Sequence, residues 1–195
     1  MEDLCAVVID RGLAALGADG GAVAVRDDDR RVVKLTITAS LGQNTQREYA
    51  ELPLDGPLPA SHVARTGEMV LLPDRAAGQA WAKETAAVYE LTGKDAWATL
   101  PLQAGGRLLG ALLASWERPR AFRVEEVELL EAFAAHCAQA LDRLQVRQAE
   151  RQVAAAQRRL SETLQRSLLT APTPAGLPAD RRALRPRRAR GAGRR

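Results

Sequence analysis

Two hydrophobic periods follow one another in the first forty residues, and each predicts its own kind of element. Apolar side chains recur every three or four positions along residues 3–16, which predicts an amphipathic helix that ends at Gly17. A short apolar run covers 21–25, and after a charged turn the side chains alternate between apolar and polar over 33–40. Such alternation is typical of a half-buried strand, so the two segments predict an antiparallel hairpin.

The middle of the chain predicts shorter elements. A segment rich in turn residues leads into a short helix near 58–66, for which Gly67 is the expected stop. A brief strand is expected over 68–72. Residues 76–91 are less regular, and they predict either a helix or an irregular cover over the rest of the domain.

A second hairpin follows, with two apolar strands written WATLPLQ and RLLGALLASW. Ala104, Gly105 and Gly106 join them, which is a strong turn signal between apolar runs. Gly110 lies inside the second strand, where a glycine indicates a β-bulge or a close backbone contact. The whole order predicts an α/β fold with an antiparallel sheet of five to six strands, helices on one side and a cover on the other.

From Val124 the pattern is helical for about 45 residues, which is longer than a single small domain needs and indicates a coiled coil or signalling linker. Its apolar positions run at spacings of three and four to Leu144, slip in register, and resume at Val146. Pro172 and Pro174 would end the helix. We therefore expect a folded domain over 1–145 and a coiled-coil linker over 146–170, with 171–195 as a disordered tail.

The composition is that of a cytoplasmic protein. No apolar run approaches the roughly 20 residues of a membrane-spanning helix, and the acidic N-terminus does not resemble a signal peptide. Two cysteines give no disulfide framework. Residues 181–195 hold eight Arg and no acid, so the net charge of +4 conceals a charge of −4 over residues 1–180.

The Arg-rich tail is interpreted as truncated or translated out of frame, because its restricted alphabet matches what GC-rich DNA encodes. A neutral disordered end and a functional polybasic arm are the alternatives. The tail has no aromatic side chain for stacking on bases, so nucleic acid is not an expected partner.

Several linked motifs resemble the GAF family over residues 1–145. GLAALGADGGAVAV is similar to that family's first helix and strand, and LPLDGPLPASHVARTGEMVLLPD to its short helix and following turn. WATLPLQAGGRLLGALLASW and AFRVEEVELLEAFAAHCAQAL resemble its final hairpin and exit helix. The resemblance implies a sensor domain in which a small molecule lies between one sheet face and the variable cover.

A narrower resemblance concerns RRLSETLQRSLLTAPTPAGLP, which looks like the segment that joins a GAF domain to a stage-II-sporulation-E-type serine/threonine phosphatase domain. The pattern departs after Leu177, and the Asp set that would hold two catalytic metal ions does not follow. The resemblance implies a regulatory relative of such phosphatases and no enzymatic activity in this chain. The alternative is a phosphatase whose catalytic domain is lost beyond the C-terminus.

Polar candidates for a site are weak. Asp27, Asp28 and Asp29 lack the spacing and the closing Glu of a calcium loop and are interpreted as a solvated turn. Cys137 lies on the apolar helix face and is interpreted as a buried thiol, while His62 and Arg65 share a helix face that could meet an anion. No cofactor or metal is expected.

The aromatic side chains remain as candidates for ligand binding. Trp81, Tyr89 and Trp97 fall in or beside the cover, and apolar pockets with a few polar groups are the usual ligand sites. The alternative is that they only fill the core. We predict a sensing and dimerisation module that regulates an output domain, and a parallel homodimer through the long helix, weakened at low salt by its Arg excess.

Overall fold

The computed structural model describes residues 2–169, which form six strands, six α-helices and one 3₁₀ turn. In chain order the helices and strands are α1 (Glu2–Ala15), β1 (Gly20–Asp27), β2 (Val32–Ile37), the 3₁₀ turn (Ala39–Leu41), α2 (Gln43–Glu48), β3 (Glu51–Pro53), α3 (Pro59–Thr66), β4 (Val70–Leu72), α4 (Arg75–Trp81), α5 (Thr85–Thr92), β5 (Ala96–Ala104), β6 (Arg107–Trp116) and α6 (Val124–Leu169). The Arg-rich tail that the sequence singles out lies outside these residues.

The six strands form one antiparallel sheet in the order β3-β2-β1-β6-β5-β4. Both predicted hairpins are present, β1–β2 and β5–β6. The first and last strands in the sequence, β1 and β6, pair with each other at the centre of the sheet. The predicted α/β architecture with an antiparallel sheet of five to six strands is confirmed.

Alternation along each strand divides the core into two layers. On β5, Ala96, Ala98, Leu100 and Leu102 belong to the layer that α1 and α6 cover, whereas Trp97 belongs to the opposite layer. The second layer is closed by α3 and α5, from which Val63 and Tyr89 are almost completely buried. Burial of each large apolar side chain contributes about 1.5–3 kcal/mol, so both sheet faces stabilise the fold.

Gly110 is the site of both features that a glycine inside a strand predicts. Leu102 pairs with Gly110 and Gln103 with Leu108, which leaves Leu109 as the extra residue of a β-bulge. The φ of Gly110 is +154°, and a Cβ there would lie 1.9 Å from the carbonyl oxygen of Ala24 on the neighbouring strand. Only glycine satisfies this backbone and this approach.

The segment from Ala39 to Pro53 differs from the sequence prediction, which continued the alternation of β2 to position 40 and expected only turn residues from Glu51. Strand β2 ends at Ile37, and the 3₁₀ turn, α2 and β3 follow. Gly42, at φ +82°, redirects the chain, and the Thr45 hydroxyl donates to the carbonyl oxygen of Leu41 at 2.6 Å. Elements this short have too few positions to show a hydrophobic period.

Helix α6 matches the long helix predicted from Val124. Its buried positions are Leu130, Ala134 and Ala138, whereas every residue from 146 to 165 is exposed. The chain divides into two units between Ala149 and Glu150, so the boundary falls within α6: the first unit holds the sheet, the shorter helices and the first part of α6, and the second unit begins at Glu150. Among the described residues, no helix is long and apolar enough to cross a membrane.

Candidate functional site

A cavity of about 60 Å³ lies on the sheet face opposite α1 and α6. Seventeen residues line it; they come from all six strands, from α2, α3 and α5, and from the turns beside them. The floor is therefore the sheet, and the walls are the short helices that the least regular part of the sequence forms. Almost all of the lining surface is apolar.

The three aromatic residues that the sequence indicates are not all brought together. Tyr89 on α5 and Trp97 on β5 line the cavity and are 1% and 7% exposed. Trp81 ends α4 outside the lining set and is 36% exposed; its ring meets the imidazole of His62 edge-on, with 5.5 Å between centroids. Whether any of the three binds a ligand stays a prediction.

Tyr89 is fixed in place by α4. Its hydroxyl donates to the carbonyl oxygen of Asp74 at 3.3 Å, and the Arg75 guanidinium lies 5.8 Å from the ring centroid. Burial, and then the charge of Asp74, raise the pKa of Tyr89 to about 12. Tyr89 is therefore neutral at physiological pH, and it offers the cavity an aromatic wall without a charge.

Trp97 contributes a buried polar atom. Among the described residues, its indole Nε1 has no hydrogen-bond partner, and neither has the hydroxyl of Ser115. The two residues are register partners on β5 and β6, so their side chains leave the same face of the sheet side by side. A buried N–H without an acceptor costs about 1–3 kcal/mol, which makes this point of the face receptive to an acceptor.

The chemistry available in the cavity is binding. All of its lining side chains are uncharged, with Thr45 and Thr85 already donating to backbone carbonyl oxygens at 2.6 and 2.7 Å. A cavity of about 150 Å³ can hold benzene, so 60 Å³ admits only a very small molecule or the end of a larger one unless the helices move. Tyr49 and Val88 belong to the lining and are partly exposed to solvent.

Sequence reasoning missed most of the wall. Tyr49 directly follows α2, and Leu52 lies in β3. Both elements are too short to show a hydrophobic period, so no sequence signal indicates these two residues. Thr99 and Thr85 could have been found: Thr99 lies two residues beyond Trp97 on the same strand face, and Thr85 lies four residues before Tyr89 on the same helix face.

The other candidates lie elsewhere. Asp27 accepts hydrogen bonds from the Lys34 ammonium at 2.8 Å and from the Arg30 amide at 3.1 Å in the predicted charged turn. Cys137 is a half-buried free thiol beside the α1–α6 layer, and burial raises its pKa to about 11. Within residues 2–169 there is no group of three or more acidic, His or Cys side chains that could hold a metal ion.

Comparison with known proteins identifies the fold. A family model described as GAF domain matches residues 1–142. A domain of a protein assigned as a two-component sensor histidine kinase from Sinorhizobium meliloti has a TM-score of 0.61 and 19% identity, over 78% of this chain and 97% of that one. The GAF domain of a phosphoenolpyruvate-protein phosphotransferase from Coxiella burnetii has a TM-score of 0.58 and 22% identity, over 76% of this chain and 86% of that one.

The second GAF domain of DevS from Mycobacterium smegmatis is also similar, with a TM-score of 0.53 and 21% identity over 82% of this chain and 99% of that one. At these identities the likeness shows the fold alone. No curated protein matches the chain.

Proposed function

Because this chain belongs to the GAF domain family, we propose that it is a signal-sensing regulatory module whose apolar cavity binds a small molecule. The observation that carries the proposal is the placement of Tyr89 and Trp97 on one cavity between the sheet and its short helices. A site of this kind, apolar with few polar groups, is suited to recognition. Trp81 is the weakest member of the aromatic set, because it lies outside the lining.

A thermal-shift screen of the full chain against cellular metabolites tests this function, because a ligand that binds only the native state stabilises it by mass action. Val88→Phe places a larger side chain on the cavity wall and should abolish the shift given by a true ligand. Val124→Phe is the matched control, since Val124 is 70% exposed on α6 and does not line the cavity. Equal shifts in the two variants would contradict binding in the cavity.

The route from the cavity to α6 is short. Tyr89 donates to the carbonyl oxygen of Asp74, and the preceding carbonyl, that of Pro73, accepts the amide of Arg120 at 2.9 Å. The Arg120 guanidinium lies 4.9 Å from the Trp116 ring centroid and donates to Glu126 in the first turn of α6 at 3.0 Å. A displacement of Tyr89 by a ligand would therefore be passed to the start of the output helix.

Arg120→Gln tests this route. It removes the ion pair with Glu126 and leaves the cavity residues intact, so a ligand should bind with unchanged affinity while its effect on α6 is lost. Hydrogen exchange of the first turn of α6, with and without ligand, is the measurement. The same ligand-dependent change in exchange in wild type and variant would contradict the route.

The exposed end of α6 supports a parallel homodimer. Val146, Val153 and Leu160 follow one another at intervals of seven and are 46%, 58% and 62% exposed. A seven-residue apolar repeat on an otherwise polar helix is the pattern of a coiled-coil seam, which a second copy would cover. Counting heptads from Val146 puts Arg151 and Arg158 on the far side of the helix, away from the seam.

The remaining proposals concern the output. We propose that α6 serves as the coiled-coil linker between the sensor, residues 1–145, and an output domain. Residues 158–178 resemble the segment that precedes a phosphatase domain, so the proposed output is of that class. The proposed location is the cytoplasm. The chain itself would regulate and not catalyse. No turnover of p-nitrophenyl phosphate with Mn²⁺ or Mg²⁺ is expected, and metal-dependent turnover that survives repurification would favour the alternative, a phosphatase.

A further inference from the structure

Two unpaired polar groups give the cavity face a chemical preference. Trp97 is 7% exposed and Ser115 is fully buried, and neither the indole Nε1 nor the hydroxyl has a partner in the described part of the chain. The residues are directly opposite one another on β5 and β6. Trp97 lines the cavity and Ser115 does not, so the indole N–H is the donor of this pair that belongs to a residue a ligand in the cavity would touch.

No charge is available to a ligand inside the cavity. None of its lining residues is ionisable except Tyr49 and Tyr89, whose pKa values are raised by burial, so both are neutral at pH 7. Arg75, whose guanidinium lies 5.8 Å from the centroid of the Tyr89 ring, is already paired with Asp95 and with Glu90. An ionised ligand would lose its hydration here without gaining a counter-charge, and that loss is far more costly than the burial of a neutral polar group.

We propose that the cavity binds an uncharged ligand with a compact apolar body and one oxygen acceptor, which takes the hydrogen bond of Trp97 Nε1. This inference rests on the proposed sensing function and narrows it to neutral carbonyl or hydroxyl compounds. Nucleotides, amino acids and carboxylates are excluded by the uncharged lining. Since a cavity of about 150 Å³ holds the six carbons of benzene, the volume of about 60 Å³ holds about two to three non-hydrogen atoms while closed, and a body of four or five atoms enters only if the short helices move outward.

Three probes of nearly equal shape test the charge and the acceptor separately: butan-2-one, 2-methylbut-1-ene and propanoate. The chain has three Trp residues, so the indole N–H signals of a ¹⁵N-labelled sample report on each. Butan-2-one should move the Trp97 indole signal saturably. The alkene, which lacks the acceptor, should bind about tenfold more weakly, and propanoate should not bind.

Trp97→Phe keeps an aromatic ring and removes the donor, and should weaken butan-2-one by about tenfold while leaving the alkene unchanged. Trp81→Phe is the matched control, because Trp81 carries the same indole outside the cavity lining, and it should change neither affinity. Far-UV circular dichroism of the variants confirms that they fold, and a Trp97→His variant that retains a ring N–H is expected to recover part of the butan-2-one affinity.

The outcomes separate the two levels of the argument. Three results would overturn the proposal that the ligand is neutral and bonds to Trp97 Nε1. They are saturable binding of propanoate, no binding of butan-2-one, and equal affinity of wild type and Trp97→Phe for butan-2-one. A charged metabolite found by the thermal-shift screen, with Val88→Phe abolishing its shift, would overturn it while upholding the sensing function. Failure of every probe and every metabolite would overturn both.

Discussion

A Cβ atom on Gly78 would lie 2.1 Å from the hydroxyl oxygen of Tyr89 and 2.4 Å from its ring. The Tyr89 ring, which forms part of the cavity wall, therefore occupies the volume that a side chain at position 78 of α4 would fill. Tyr89 is only 1% exposed, so its ring has nowhere to move except toward the cavity. The position of this ring, and with it the shape of the cavity, depends on a residue with no side chain.

Gly78→Ala should lower the free energy of unfolding by up to about 2 kcal/mol. Alanine gains about 1 kcal/mol in helix propensity, but overpacking against Tyr89 costs about 1–3 kcal/mol, and we expect the cost to exceed the gain because the Tyr89 ring can move only toward the cavity. Urea denaturation measures the change.

The control for this prediction is the same substitution in a Tyr89→Leu background, where the clashing ring is absent. There Gly78→Ala should be neutral or stabilising, because only the propensity gain remains. A loss of stability of the same size in both backgrounds would mean that the ring is not the cause.

Tyr89 should make stability depend on alkaline pH. The pKa of Tyr89 is raised to about 12 in the folded chain, against an ordinary value of 10.0, so between pH 10 and 12 the unfolded chain loses a proton that the folded chain keeps. The unfolded state then binds fewer protons, and the stability that is fully present below pH 10 falls as pH rises to 12.

Tyr89→Phe removes this contribution while keeping the ring beside Gly78. The difference in unfolding free energy between wild type and Tyr89→Phe should therefore move against wild type from pH 9 to pH 11.5. The Cys137 thiol, whose pKa is raised to about 11, titrates in both proteins and cancels in the comparison. A constant difference across this range would refute the assignment.

Gly110→Ala should be far more costly than a substitution at another glycine of positive φ. Its Cβ would lie 1.9 Å from the carbonyl oxygen of Ala24. Because backbone in a paired strand cannot move aside as a side chain can, we expect the free energy of unfolding to fall by more than about 3 kcal/mol. Gly105, at φ +57° with nothing within 4 Å of a Cβ, is the control; Gly105→Ala should cost about 1–2 kcal/mol from backbone strain alone. Equal losses by chemical denaturation would contradict the close approach.

Leu160→Glu should dissociate the proposed homodimer without unfolding the chain, because Leu160 is 62% exposed on α6. A charge at the centre of the seam should weaken the dimer by at least about tenfold, measured by sedimentation equilibrium of the full chain. Arg158→Glu, on the far side of the helix, should leave the dimer intact. A monomeric wild-type chain at high concentration and moderate salt would overturn the dimer itself.

Much of the fold follows from local patterns that could be identified before the structure. The two hairpins, the helix that ends at Gly67 and the long helix from Val124 all have either a clear hydrophobic period or a glycine at the required turn. The 3₁₀ turn, α2 and β3 were not predicted, since each is only three to six residues long. Of the predicted site residues, Tyr89 and Trp97 do line one cavity, and Trp81 lies outside it.

The sequence by itself determined the kind of element at most positions and the face that each long element buries, because hydrophobic period and glycine placement act over a few neighbouring residues. The tertiary structure alone decided the cavity. Its wall joins residues as far apart in the chain as Ala22 and Leu113, and the indole N–H of Trp97 finds no acceptor within residues 2–169. Such a property belongs to the packing of all six strands against the short helices, and no local pattern encodes it.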